Sequence, residues 1–135
     1  MDYTSATTLE KGMRCHTQFF GSAGAEISTD VDAAMGGQGQ FPTPGELLAA
    51  TVASCMLSMV AYTGAIKGFD PAGANIQAAC GEGEQGIGSL MLDITIPTPT
   101  TPQQRKLIEA AIANCPVGNS LPPRIAKHIT WHWAD

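Results

Sequence analysis

The longest uncharged segment of the chain constrains its fold most strongly. Leu47–Ile66 is twenty residues long and contains no charged side chain, which is the length of a membrane span. A helix that is apolar on all sides is equally typical of a fully buried core helix. Four hydroxyl side chains interrupt the segment, at Thr51, Ser54, Ser58 and Thr63. We therefore expect a buried core helix in a globular protein and no membrane partner.

Both ends of this helix are marked in the sequence. Thr43 is a favoured N-cap residue and Pro44 suits the first helical position. Glu46 at the third position strengthens the start. At the other end, Lys67 complements the helix dipole and Gly68 supplies a stop. The sequence therefore predicts one helix from Pro44 to about Lys67.

The remaining segments predict an α+β domain. The order is strands, the long helix, strands, helices and a last strand, and grouped strands favour a long helix packed on an antiparallel sheet. In the segment Ser89–Ile96, alternate residues are apolar, as in a half-buried strand. At 135 residues we expect a single domain over residues 1–135. The predicted strands are 11–19, 25–30, 72–80, 89–96 and 128–133, with a turn at 21–24, a glycine-rich loop at 35–41, a second helix at 101–114 and a helical turn at 117–121.

Composition excludes several classes of partner. A net charge of −5 with scattered cations argues against binding to nucleic acid or to anionic membranes, since both need a basic stripe. The first residues contain neither a basic start nor an apolar stretch, so we expect no secretory signal and a cytoplasmic location. Gly81–Gly86 fits GxGxxG, but a predicted strand follows it instead of a helix. A hairpin loop is therefore expected there.

Four cysteines, at positions 15, 55, 80 and 115, are the candidate chemical groups. They show no CxxC spacing, which argues against a structural metal site, and a reducing cytoplasm argues against a disulfide scaffold. We therefore treat Cys15, Cys55, Cys80 and Cys115 as individual thiols and expect neither a metal nor a bound cofactor.

Cys55 lies about three turns into the predicted long helix. Plain core packing would explain it, because buried free cysteines are common. A reactive thiol in this position gains nothing from the helix dipole, so it needs a cation from elsewhere. Arg14 is the candidate cation, unless it is an ordinary surface arginine. Glu46 is the candidate partner that holds this arginine, unless it only caps the helix.

Cys115 ends the second helix and precedes Pro116, which is expected to open a helical turn. Amide groups at such a start favour a thiolate, whereas packing alone would make Cys115 the last residue of an apolar helix stripe. Both interpretations stay open. Two thiols in one pocket would suit redox chemistry, in which one is oxidised by a peroxide to a sulfenic acid and the other condenses with it to a disulfide.

Two segments resemble motifs of the OsmC/Ohr family. The first is TDVDAAMGGQGQFPTPGELLAATVASCM, which resembles that family's aspartate, glycine loop, proline and core helix. The second is CPVGNSL, which resembles its CPV-x-x-SL segment. Their cysteines lie sixty residues apart (115 − 55), as in the family. Because the order of elements also matches, the resemblance covers essentially the whole chain.

The resemblance implies an OsmC-like fold in an intertwined homodimer, with antiparallel sheets, central helices and active sites at the subunit interface. It implies the reduction of organic, lipid-type hydroperoxides, with Cys55 matching the peroxidatic cysteine and Cys115 the resolving cysteine. Arg14 matches the arginine that activates the first thiol. Dithiols, typically of lipoylated proteins, would reduce the disulfide again.

One position departs from the family pattern. The best characterised members hold the arginine with a glutamate ten residues before the first cysteine, where this chain has Gly45. The nearby acid is Glu46, which is turned by about 100° around the helix. The sequence resembles the OsmC-like subgroup with SP-x-(D/E)-L-L. It leaves a competing hypothesis, a non-catalytic OsmC-like homodimer that binds a hydrophobic small molecule.

Overall fold

The computed structural model describes residues 1–134. The chain forms two compact units, Met1–Leu47 and Leu48–Asp135. The expected single domain over residues 1–135 stays a prediction.

The first unit contains one antiparallel sheet in the order β1-β2-β3. The strand predicted over 11–19 is wrong at its start, because the chain turns there: Gly12 has φ +59°, a left-handed conformation that glycine adopts without strain. The missed strand β1 has almost no buried residue, so it lacks the alternation that marks a half-buried strand. The strands are β1 Ser5–Lys11, β2 Arg14–Phe19 and β3 Glu26–Thr29, followed by the 3-10 turn Ala33–Met35.

A buried carboxylate organises the loop after β3. Asp30 accepts hydrogen bonds from the backbone N–H of Val31 at 2.8 Å and of Gln38 at 3.2 Å, and a buried charge requires such partners. The loop closes tightly around it. A Cβ on Gly37 would lie 2.0 Å from the carbonyl oxygen of Val31 and 2.7 Å from the Asp30 carboxylate. Only glycine therefore fits at position 37.

The pKa of Asp30 lies below its ordinary value. The hydrogen bond from Val31 lowers the pKa most, and burial opposes that effect. Further hydrogen bonds from the backbone of Gln38 and Gln40, and the positive charge of Arg14, lower the pKa in addition. The loop thus favours an ionised carboxylate, since each of these interactions stabilises the anion.

The long helix α1 spans Pro44–Lys67, as predicted. The hydroxyl of Thr43 accepts a hydrogen bond from the backbone N–H of Glu46 at 3.1 Å, which confirms the N-cap. Gly68 has φ +82° and donates its N–H to the carbonyl of Gly64. This left-handed glycine ends the helix.

Burial of α1 is one-sided, which corrects the expectation of a fully buried helix. Val52, Met56 and Val60 are buried, whereas Tyr62 and Ile66 are 64% and 60% exposed. By length and composition α1 is the one helix among the described residues that is apolar enough to span a membrane, and core helices pass the same test. The buried side chains of α1 belong to the core of the second unit, and the side that carries Tyr62 and Ile66 is exposed.

The second unit contains a sheet in the order β4-β5-β6. β4 and β5 form an antiparallel hairpin, which confirms a hairpin at Gly81–Gly86. β5 and β6 are parallel, so the expected antiparallel sheet is wrong for this pair. Parallel neighbours need a crossover connection, and two helices supply it. The elements are β4 Asn75–Gly83, β5 Gly86–Ile96, α2 Pro102–Ala113, α3 Pro116–Asn119 and β6 Ala126–Trp133.

The core of the second unit lies between one face of β5 and the helices. Alternate residues of β5 are buried, as predicted: Leu90, Leu92, Ile94 and Ile96. α1 and α2 contribute the other buried side chains, and Cys115 belongs to the same cluster. α2 begins at Thr101 in a complete capping box. Both helices therefore pack their apolar sides into one shared core.

Replacing Leu92 by alanine tests this core. Leu92 is 0% exposed in the central strand, so Leu92→Ala should lower the free energy of unfolding by about 2–5 kcal/mol. The neighbouring Met91 is 59% exposed, and Met91→Ala is the matched control, with a change within about 0.5 kcal/mol. Urea unfolding followed by circular dichroism measures both. Equal losses for the two variants would contradict the assignment of the buried face.

The Asp30 carboxylate predicts a specific pH dependence. A folded pKa below the ordinary 3.8 contributes stability that is fully present above pH 3.8 and is lost as the pH falls through the lowered pKa. Wild type should therefore be more stable than Asp30→Asn by a constant amount from neutral pH to about pH 5, and by less in stronger acid. Unfolding titrations of both proteins across this range measure the difference. A difference that does not shrink in acid would refute the ionised state of Asp30.

Candidate active site

Cys115 occupies the junction between α2 and α3. It is 1% exposed, and its Sγ accepts a hydrogen bond from the backbone N–H of Gly118 at 3.3 Å. The side chain thus packs in the core beside α2 and is also the N-cap residue of α3. Both structural interpretations that the sequence left open, apolar packing and capping, hold at once.

Burial raises the pKa of the Cys115 thiol. The hydrogen bond from Gly118 lowers the pKa, while contact with Cys55 raises it through a side-chain hydrogen bond and through charge. A smaller lowering comes from the backbone of Val117. Because burial is the largest of these effects, the amide donors at the helical turn do not produce a thiolate. Cys115 is a protonated thiol at neutral pH.

The structure brings Cys55 and Cys115 together. Cys55 is half-buried on α1 and packs against the core cluster that contains Cys115. Their side chains are close enough for a thiol–thiol hydrogen bond to affect the pKa of Cys115. Both cysteines are free thiols. The sequence placed them sixty residues apart, and the packing of α1 and α2 on one sheet face closes that separation.

The surroundings of the two thiols are largely apolar. A Cβ on Gly118 would lie 3.4–3.7 Å from three side-chain atoms, the Cys115 Sγ, the Met56 Cε and the Lys127 Cε. Met56 is buried and Lys127 is half-buried. Lys127 was missed by sequence reasoning, because its position on β6 is set by the parallel pairing with β5. Its methylene stem lies over the turn that Cys115 caps.

Arg14, at the start of β2, is held by the loop that precedes α1. Its Nη2 donates a hydrogen bond to Oε1 of Gln40, and its guanidinium carbon lies 4.8 Å from the centroid of the Phe41 ring. Its Nε is buried and has no hydrogen-bond partner within residues 1–134. Arg14 is therefore a fixed cation with one donor unused. Neither Gln40 nor Phe41 was singled out from the sequence.

Glu46 contacts Thr43 and not Arg14. Its backbone N–H makes the capping hydrogen bond, and its carboxylate forms no ion pair with any other described residue. In the described part of the chain, the one ion pair joins His16 to Glu26 at 3.5 Å. The role of Glu46 as the partner of Arg14 thus stays a prediction, and the contact the structure shows is the capping hydrogen bond of its backbone N–H.

The two other cysteines lie elsewhere in the sheets. Cys15 is half-buried in β2 and pairs with Leu9 and Thr29. Cys80 is half-buried in β4 opposite Leu90. Across residues 1–134, no three His, Cys, Asp or Glu side chains are arranged to hold a metal ion.

Solved structures share this fold over nearly the full length of the chain. A candidate osmotic stress induced and detoxification response protein from Psychrobacter arcticus 273-4 has a TM-score of 0.91 at 24% identity, covering 98% of this chain and 97% of that one. An OsmC-like protein from Mycoplasma pneumoniae has a TM-score of 0.82 at 13% identity, with 100% and 99% covered. An organic hydroperoxide resistance protein from Elizabethkingia anophelis has a TM-score of 0.73 at 22% identity, with 99% of each chain covered. At these identities the likeness establishes the fold.

Sequence comparison adds the family. Comparison with curated protein sequences gives no match. The sequence profile described as OsmC-like protein matches residues 37–129, which include α1, both thiols of the candidate site and most of the second sheet. The resemblance seen in the two cysteine motifs is confirmed: the chain belongs to the OsmC-like protein family.

Proposed function

We propose that this protein is a thiol-dependent peroxidase that reduces organic hydroperoxides to alcohols. The observation that carries the proposal is the meeting of two free thiols, Cys55 and Cys115, in one apolar core. Fold relatives named as organic hydroperoxide resistance proteins, from Elizabethkingia anophelis and Bacillus subtilis, support it. Cys55 is the proposed peroxidatic residue and Cys115 the resolving residue.

The proposed reaction has two chemical steps. The Cys55 thiolate attacks the distal oxygen of the hydroperoxide, an S–O bond forms, the O–O bond breaks, and the alkoxide leaves and takes up a proton to become the alcohol. The sulfur of Cys115 then attacks the Cys55 sulfenic acid, the disulfide forms, and the sulfenic oxygen leaves as water with the Cys115 proton. An external dithiol, such as that of a lipoylated protein, returns both thiols and becomes a disulfide itself.

The pKa of Cys115 supports this order of events. A buried, protonated Cys115 does not compete for the peroxide, because the thiolate is the nucleophile. Negative charge on Cys55 raises the pKa of Cys115 further, so ionisation of the first thiol keeps the second one protonated. Arg14 is the proposed cation that stabilises the Cys55 thiolate. Glu46, the acid predicted to hold it, stays a candidate for that role.

The surroundings favour an organic substrate. Buried Val52, Met56 and Ile112 belong to the core that contains Cys115 and packs against Cys55, and such side chains favour a substrate with an apolar group over hydrogen peroxide. A homodimer in the cytoplasm, with active sites completed at the subunit interface, is part of the proposal.

A second candidate function is the binding of a hydrophobic small molecule without catalysis. One observation favours it: the end of α1 and the following loop form a groove of about 430 Å³. Its walls are mostly apolar and include Leu57, Val60, Ala65 and Phe69. Peroxide chemistry at Cys55 separates the two candidates, since a binding protein does not require it.

The first test follows thiol oxidation after one equivalent of cumene hydroperoxide. We expect stopped-flow kinetics to show fast loss of thiol, and mass spectrometry of peptides to show a Cys55–Cys115 disulfide. Cys55→Ser should abolish the fast phase, and Cys80→Ser is the matched control that should keep it. Unchanged kinetics in Cys55→Ser, or oxidation confined to Cys15 and Cys80, would refute the peroxidase and leave the binding protein.

The second test separates the two steps. Cys115→Ser should keep the first oxidation of Cys55 but lose the disulfide and turnover with dithiol. Excess hydroperoxide should then drive Cys55 to the sulfinic acid, because no thiol traps the sulfenic acid. Peptide mass spectrometry measures the products. Protection of Cys55 in Cys115→Ser equal to that in wild type would show that Cys115 is not the resolving residue.

A further inference from the structure

We infer that Gln40 is the positioning residue that holds the guanidinium of Arg14 for the proposed peroxidase, where better characterised relatives are expected to use a glutamate on the long helix. The inference deepens the proposed function and rests on it, because positioning matters only if Arg14 stabilises the reactive thiolate. It stands on contacts within the first unit.

The contacts of Arg14 come from two consecutive loop residues. Gln40 accepts a hydrogen bond from Nη2 through its amide oxygen, and the guanidinium carbon lies over the Phe41 ring, 4.8 Å from its centroid. A hydrogen bond on the edge of the guanidinium and a ring on its face together restrict both position and rotation. No carboxylate forms an ion pair with Arg14 in the described residues. The arginine is therefore oriented by a neutral acceptor and an aromatic face.

The loop that presents Gln40 is itself rigid. The Asp30 carboxylate binds the backbone of Gln38 at 3.2 Å, and Gly39 donates its N–H to the carbonyl of Val31 at 3.0 Å. The N–H of Asp30 in turn binds the carbonyl of Pro42 at 3.1 Å. Hydrogen bonds thus tie the loop on both sides of Gln40. This rigidity fixes the acceptor oxygen before any substrate binds.

A neutral acceptor leaves the charge of Arg14 available. A glutamate in contact would cancel part of the positive field, whereas the amide of Gln40 carries no net charge. The charge of Asp30 is taken up mainly by backbone N–H groups, and Arg14 is the smallest contributor to its lowered pKa. The Nε of Arg14 also remains an unused donor. A cation with a free N–H in a fixed place is suited to stabilise a thiolate.

A cavity lies beside the guanidinium of Arg14. Arg14, Asp30 and Gln40 line a cavity of about 280 Å³ together with the glycine-rich loop.

The side-chain amide of Gln40 does not titrate. Its hydrogen bond with Arg14 should therefore persist in acid, whereas a carboxylate in its place would be protonated below about pH 4.

Gln40→Met removes the acceptor and keeps the length of the side chain. The rate of iodoacetamide alkylation at Cys55, measured by peptide mass spectrometry as a function of pH, reports its thiolate. We expect Gln40→Met to slow alkylation at pH 7 about tenfold and to raise the midpoint of the pH profile by about one unit. Gln38→Met is the matched control, because the side chain of this second loop glutamine makes no hydrogen bond to any residue in 1–134, and it should behave as wild type.

Two further variants test whether Gln40 acts through Arg14. Gln40→Glu keeps an acceptor oxygen at the same reach and should recover most of the lost rate near neutral pH. In an Arg14→Met background, Gln40→Met should cause no further loss, since coupled residues are not additive. Thermal unfolding of each variant checks that the fold is retained, and Gln40→Glu keeps the test valid if Gln40→Met is unstable.

Three outcomes would overturn the inference. Gln40→Met could match Gln38→Met in rate and midpoint, or slow alkylation equally with and without Arg14. Alternatively, Glu46→Gln could cause the loss that Gln40→Met does not, which would return the role to Glu46. Failure of the proposed function has a different signature: in wild type, Cys55 would react with cumene hydroperoxide no faster than Cys80. Alkylation does not need peroxidase activity, so the two failures are distinguishable.

Discussion

One fully buried face of a central strand decides where the two thiols of the second unit lie. Leu90, Leu92 and Ile94 of β5 are 0% exposed, and a strand places all of them on one side. The long helix and α2 must both cover that side, because it is the apolar surface available to them. Cys55 on α1 and Cys115, just after α2, therefore come together at this core, although sixty residues separate them in sequence. The contact between Cys55 and Cys115 is a consequence of packing on this face.

The two thiols differ because their surroundings differ. Cys115 has amide donors at the start of a helical turn, which lower its pKa, and deep burial, which raises its pKa by more. Burial wins because a thiolate in an apolar core loses its hydration and two hydrogen bonds do not replace it. The resulting protonated thiol suits the proposed resolving role, in which Cys115 reacts only with the sulfenic acid of Cys55. The proposed peroxidatic role falls to the half-buried thiol on α1, Cys55.

The first unit fixes the position of Arg14, the cation proposed for the thiolate. A buried carboxylate, Asp30, is tolerated because backbone N–H groups of the loop satisfy it, and a Cβ at Gly37 would destroy this arrangement. The loop in turn presents Gln40 and Phe41 to the guanidinium of Arg14. Asp30, the loop and Arg14 are thus connected by hydrogen bonds. In this arrangement the neutral amide of Gln40 holds the arginine, where the family pattern led us to expect a glutamate.

Local patterns in the sequence determined the helices and most of the strands. Thr43 with Pro44, and Thr101 with Pro102, marked both helix starts correctly, because capping depends on residues within one turn. The alternation in β5 and the two cysteine motifs likewise identified the core strand and the family.

Only the tertiary structure decided the rest. The parallel pairing of β5 with β6 follows from a crossover of two helices, and the hydrogen bond from Arg14 to Gln40 joins residues 26 apart. Neither leaves a periodic signal, since each depends on how distant segments pack. The balance at Cys115 has the same origin: the sequence showed the capping position, and burial by other elements set the protonation state.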